Sequence, residues 1–237
     1  SYMIQMGISA RIMIVASPNV QENFKLQLFD ETKLEEVDGN WDLSGCTGRD
    51  FIQQINPTNI RGLSREKVVR RIKNVINAGY IFMGYVEFAN YIKKVSYVPS
   101  PEDGGAIDEH VRARMATRNL QRVFSNRMIV IDEIHNIRMS NENANKHVAH
   151  QLDILVDAVQ NIRLLLMSAT PMFNEHREIV WLVNLMNRND RRETVQVRDI
   201  FDNNGLFKVD RETGEEVGRE LLERRLTGYV SYVRGDN

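Results

Sequence analysis

Four short apolar runs punctuate the chain, at 11–16 (RIMIVA), 80–83 (YIFM), 128–131 (MIVI) and 163–167 (RLLLM). Their hydrophobicity is continuous rather than alternating, the pattern of strands buried on both faces. Each is followed by helical periodicity. The spacing predicts helices over 18–29, 64–77, 85–94, 107–124, 145–159 and 175–186, with Pro18 in a first turn and Ser64 as an N-cap. Strands alternating with helices predict an α/β fold built on a doubly wound parallel sheet.

Two stretches interrupt the alternation. Residues 31–48 are polar and Gly-rich and read as an insertion loop, and 98–105 (VPSPEDGG) read as a turn-rich break. Beyond Asn187 the pattern changes: a turn at 202–205, a charged amphipathic helix over 215–226, and a β-prone closing run at 229–233. We therefore expect a main unit at 1–187 and an extension at 188–237. No internal repeat or low-complexity tract is apparent.

Composition narrows the function classes. With 42% hydrophobic and 27% charged residues among 237, the chain is an ordinary globular sequence, not a disordered or coiled-coil one. Lys and Arg total 31 against 32 Asp and Glu, so any nucleic-acid site must come from local geometry rather than bulk charge. Cys46 is the single cysteine, which excludes an internal disulfide and fits a reducing compartment. No apolar run approaches the ~20 residues that span a bilayer. The chain opens on Ser1 within a helix-like pattern, and we expect it to be a piece of a longer protein.

The chemistry concentrates at two strand ends. In 128–135 (MIVIDEIH), an apolar strand runs into two adjacent carboxylates and a histidine. A carboxylate at a strand tip can hold Mg²⁺ through water, and its neighbour can orient an attacking water, as phosphoryl transfer requires. Asp132 suits the metal and Glu133 the water. In 164–174 (LLLMSATPMFN), a second strand ends in Ser168, Ala169 and Thr170, whose hydroxyls can bond to nearby carboxylates or imidazole. The separation of 36 positions from Asp132 to Ser168 leaves room for one helix and one strand.

On these residues the chain resembles the first RecA-like lobe of superfamily 2 helicases and translocases. Asp132-Glu133-Ile134-His135 is similar to the Walker B box in its DExH form, and Ser168-Ala169-Thr170 to motif III. Val15-Ala16-Ser17-Pro18, leading to Gln27, is similar to motif Ia. Phe82-Met83-Gly84-Tyr85 resembles the strand end that follows it. Pro171 to Asn174 and Glu178 to Leu185 resemble the Swi/Snf-type branch. The closing segment from Gly228 to Asn237 resembles helicase-like NTPases of large cytoplasmic DNA viruses, the group of the poxvirus early transcription factor small subunit.

The resemblance implies ATP and Mg²⁺ as cofactors, with Asp132 toward the metal, Glu133 toward the lytic water, and His135, Ser168, Ala169 and Thr170 coupling hydrolysis to movement. It places Ser17, Pro18, Gln27 and Gly84 on the nucleic-acid side. The partners it implies are nucleic acid (DNA before RNA), a second RecA-like lobe and viral transcription machinery, in a virion or host cytoplasm. The resemblance also demands a Walker A loop, yet no Gly-Lys pair occurs in the sequence. The nearest imitation, Gly45-Cys46-Thr47-Gly48-Arg49, lacks the Lys and the spacing. We expect an isolated chain without ATPase activity, and strand 163–167 left with an open edge. The rival readings are the motor subunit of a restriction endonuclease and a non-enzymatic RecA-like interaction module.

Other features read more plainly. His147 and His150 form a helix-surface pair without enough companions for zinc. Arg114, Arg118 and Arg122 form a solvated stripe. Arg65, Lys67, Arg70, Arg71 and Lys73 make a denser basic helix, balanced between solvent and phosphate contact. Trp181 reads as core packing, and Arg234-Gly235-Asp236 as a linker turn.

Overall fold

The computed structural model describes residues 6–7, 9–43, 51–52, 62–99, 107–137, 143–172 and 175–232. The four apolar runs form one parallel sheet: β1 (Ile12–Val15), β4 (Tyr80–Met83), β5 (Met128–Ile131) and β6 (Arg163–Leu166), in the order β4-β1-β5-β6. The register aligns their ends, pairing Val15 with Met83 and with Ile131, and Ile131 with Leu166. All four strands therefore end at one edge of the sheet.

Helices cover both faces, as the continuous apolar runs require. On one side Ile12, Ile14 and Val130 pack against Val68, Ile72 and Ile76 of α2 (Arg65–Gly79), with Phe24 and Leu28 of α1 (Pro18–Leu28) at the margin. On the other, Met13, Val15, Ile129 and Ile131 meet α3 (Tyr85–Ser96), α4 (Glu109–Phe124) and α5 (Asn143–Ala158). Phe124 is fully buried there, with Phe88 and Tyr91 edge-on to it at 6.4 and 5.7 Å. β6 is the exception to two-sided burial. Among the described residues it pairs only with β5, and Leu165 is 44% exposed.

The expected loop at 31–48 is instead structured as far as it is described. A 3₁₀ turn (Glu31–Lys33) leads into an antiparallel hairpin of β2 (Leu34–Val37) and β3 (Asn40–Leu43). Its two-residue turn is Asp38-Gly39, both at positive φ (52° and 76°), the left-handed backbone that a tight hairpin needs. Buried Leu34 and Leu43 join the α2 cluster, and Trp41 Nε1 donates to the Leu63 carbonyl at 3.0 Å. Gly39→Val should destabilise the fold by about 1–2 kcal/mol, because a β-branched residue is strained at that φ. Urea unfolding would measure it. The rest of that stretch, including Cys46, and most of 98–105 lie outside the described residues.

α6 (His176–Asn189) runs through the boundary expected near Asn187. One flank, with Leu182 and Leu185, belongs to the main core. The other, with Val180 and Val183, joins Val195, Ile200, Phe201 and Leu222 in a second cluster. That cluster is built with α7 (Val197–Ile200) and α8 (Val217–Leu226). Asn187 itself is buried and donates to the carbonyls of Val183 and Arg225. α6 is also fastened to α5. Arg188 binds Asp153 at 2.6 Å, and Trp181 Nε1 donates to the same carboxylate at 3.3 Å. Burial pushes the Asp153 carboxyl up, against the pull of Arg188.

The expected closing strand is absent from the described residues 229–232. Tyr229 sits in a turn, where its hydroxyl donates to Asp190 at 2.8 Å and Arg192 stacks over its ring at 5.1 Å. These contacts hold the segment against the end of α6, away from any strand.

Candidate functional site

The sheet edge where the strands end gathers most of the residues singled out by sequence. Crevices outside the carboxyl ends of parallel strands are where α/β sheets bind ligands. Backbone hydrogen bonds lock the tips to one another. Ala16 N–H donates to Met83, Asp132 N–H to Val15, and Ile134 N–H to Met167, each at 3.0 Å. The Asp132-Glu133 turn is thereby fixed between β1 and β6.

Glu133 adopts a left-handed conformation, φ 46° and ψ 53°, and caps a 3₁₀ turn at Ile134–Asn136. A non-glycine residue in that region costs of order 1–3 kcal/mol and persists only where its surroundings impose it. The conformation sets Glu133 Oε2 3.1 Å from His135 Nδ1. That oxygen is shielded from solvent, with the imidazole as its polar neighbour. His135 Nδ1 lies 2.8 Å from Ser168 Oγ, which also accepts from the Thr170 N–H at 3.1 Å. His135 Nδ1 and Ser168 Oγ share one hydrogen bond beside the Glu133 carboxylate. The structure thus joins Glu133, His135 and Ser168 into one polar chain between the tips of β5 and β6.

Ala169 and Thr170 follow, exposed. Asp132 is partly exposed at the tip of β5. Its carbonyl accepts from the Tyr85 hydroxyl at 2.9 Å, a contact that the sequence reading missed. Only the pairing of β4 with β1 could have revealed it. Burial raises the Tyr85 hydroxyl above its ordinary value, and the charges of Asp132 and Glu133 raise it further. Tyr85 therefore stays a donor throughout the physiological range.

Ser17 and Gly84 sit at the same edge, as the residues preceding α1 and α3, and Pro18 opens α1. Gln27 is not at this edge. It lies nine residues after Pro18, about 14 Å along α1 at the helical rise. The basic helix α2 is partly committed: Arg65 donates to the Glu31 carbonyl at 2.6 Å, and Lys73 pairs with Glu31 at 3.0 Å. Lys67 and Arg70 are exposed, as are Arg114, Arg118 and Arg122 on α4. Phe173, Asn174 and the Arg234-Gly235-Asp236 segment lie outside the described residues.

Among the described residues no cluster of three or more His, Cys, Asp or Glu could hold a metal ion alone. Asp132, a single part-exposed carboxylate at a strand tip, is of the kind that reaches a Mg²⁺ ion through water. The Glu133 side chain, 41% exposed, fits an acceptor for a water proton. No described helix is long and apolar enough to cross a membrane.

Comparison with known proteins bears on this geometry. Over 206 residues, 80% of the chain, it is 26% identical to a protein of Acanthamoeba polyphaga mimivirus named "Putative ATP-dependent RNA helicase". Over 181 residues, 75% of the chain, it is 27% identical to a "Putative helicase" of Frog virus 3. A second mimivirus protein, also named "Putative ATP-dependent RNA helicase", is 29% identical over 121 residues, 47% of the chain. The chain is similar to viral helicases. It spans 16%, 16% and 19% of the lengths of these three relatives. No family model matches the chain, and no solved structure matches it significantly.

Proposed function

We propose that this chain carries the hydrolysis and coupling elements of the first RecA-like lobe of a superfamily 2 helicase or translocase from a large DNA virus. The observation that carries the reading is the polar chain Glu133–His135–Ser168 across the tips of β5 and β6, beside Asp132. ATP with Mg²⁺ supplies the phosphoryl group and its charge neutralisation when bound. Asp132 would hold the metal through water. Glu133 accepts a proton contact from the attacking water and orients it toward the phosphorus. His135 passes a change at Glu133 to Ser168, and Ala169 and Thr170 carry it into the loop beyond β6. Ser17, Pro18 and Gly84 meet the nucleic-acid backbone, and Gln27 extends that contact along α1. A second lobe and the viral transcription apparatus are the protein partners of this reading.

The phosphate cradle is not among the residues of this chain, which contains no Gly-Lys pair. The chain alone should therefore release phosphate from ATP no faster than buffer, measured by a colorimetric phosphate assay with and without nucleic acid. In the full-length protein, Ser168→Ala should leave ATP turnover within about threefold while reducing strand displacement about tenfold or more. Equal loss of both activities would reject the coupling role. Parallel assays on DNA and RNA duplexes identify the substrate.

A further inference from the structure

We propose that Tyr85 is a positioning residue that holds Glu133 in its reactive conformation; the inference rests on the hydrolytic reading above. A peptide plane couples ψ of one residue to φ of the next, so the Asp132 carbonyl and the positive φ of Glu133 belong to one rigid unit. The Tyr85 hydroxyl donates to that carbonyl at 2.9 Å, while the Asp132 N–H is held by the Val15 carbonyl at 3.0 Å. Beyond Glu133, the Ile134 N–H is held by Met167. The two backbone contacts bracket the turn, and among the described residues only Tyr85 grips the intervening carbonyl. Without it, that peptide is free to rotate and relieve the left-handed strain at Glu133, which carries its carboxylate away from His135.

Placement gives this contact a second meaning. Tyr85 is the first residue of α3, directly after Gly84 at the tip of β4. β4 is two strands away from β5, with β1 between them. The Tyr85 ring bridges that gap and ties the tip assigned to nucleic acid directly to the hydrolytic turn. A shift of the Gly84–Tyr85 backbone on strand binding alters the grip on Glu133 without passing through β1.

The test is Tyr85→Phe in the full-length protein, which removes one oxygen and keeps the ring. Nucleic-acid-stimulated kcat should fall about tenfold, with KM for ATP within about twofold and the thermal midpoint nearly unchanged. In a Glu133→Gln background, measured by single-turnover hydrolysis of radiolabelled ATP, the same substitution should have no further effect. Wild-type kcat in Tyr85→Phe, or an equal tenfold loss on top of Glu133→Gln, would overturn the inference while leaving the hydrolytic reading intact. A full-length wild-type protein without ATPase activity would instead remove that reading. If Tyr85→Phe lowers the midpoint markedly, Asn136→Ala provides the control. It removes the side chain whose proximity pulls the Tyr85 hydroxyl pKa down, and normal kcat there keeps the loss assigned to the Asp132 contact; a matching loss overturns it.

Discussion

Glu133→Gln, in the full-length protein that carries this chain, is expected to lower ATP turnover about 10²–10⁴-fold, the range for removing a positioned acid–base group. ATP affinity should stay within about threefold, because the amide keeps the size and hydrogen-bonding reach of the carboxylate. The distinction follows from the site. Oε2 is shielded, and its neighbour is a ring nitrogen that itself contacts Ser168. Gln cannot place a negative charge there, so both the orientation of water and the message to His135 are lost. Nucleotide binding by equilibrium dialysis, paired with steady-state turnover, separates the two effects. Turnover like that of the wild type would mean that Glu133 does not orient the water.

The largest structural effect is expected at Gly218, in the first turn of α8. Intrinsic helix propensity favours Ala over Gly by about 1 kcal/mol, so a sequence-based design would make this change. The fold forbids it. A β-carbon at this position would stand 2.0 Å from the Ile200 carbonyl oxygen and 2.8 Å from the Lys208 nitrogen, both backbone atoms. These atoms are fixed, since Lys208 N–H donates to Ile200 and Gly218 N–H to Lys208. Relief requires α8 to lift from α7, breaking those bonds and opening the cluster around Ile200, Phe201 and Leu222. We expect Gly218→Ala to cost about 3 kcal/mol or more, the upper end for overpacking. Hydrogen exchange should show lost protection over α7 and α8, with β1 and β5 unaffected. Unchanged exchange in α7 and α8 would contradict the packing argument.

Much of the architecture was legible because burial on two faces leaves a plain mark. RIMIVA and MIVI could only be interior strands, and β1 is buried at all four positions. Helix ends followed local chemistry, with Pro18 and Ser64 where expected, although the Ser64 side chain makes no capping bond. The hairpin was missed despite Asp38-Gly39, a strong turn dipeptide, because its strands carry Glu35, Glu36 and Asp42 rather than alternating apolar residues. Its stability comes from α2, through Trp41 and Leu34, and a local reading does not see α2. The closing segment failed for the opposite reason. Tyr229 and Val230 have strand propensity, but tertiary contacts to Asp190 and Arg192 decide their conformation. At the site, Glu133, His135 and Ser168 were readable as types at spacings. The Tyr85 contact depends on which strand lies beside which, and no linear spacing encodes that.

Adjacent strands in a hydrogen-bonded sheet sit about 4.8 Å apart, and loop motion does not change that interval. The order of duties along this rim is therefore permanent: β4 and β1, then β5, then β6. Substitution can retune what each position carries, but cannot reshuffle which tips are neighbours. A lineage that kept the sheet would inherit the order of its strand ends and remain free to vary only the side chains they carry.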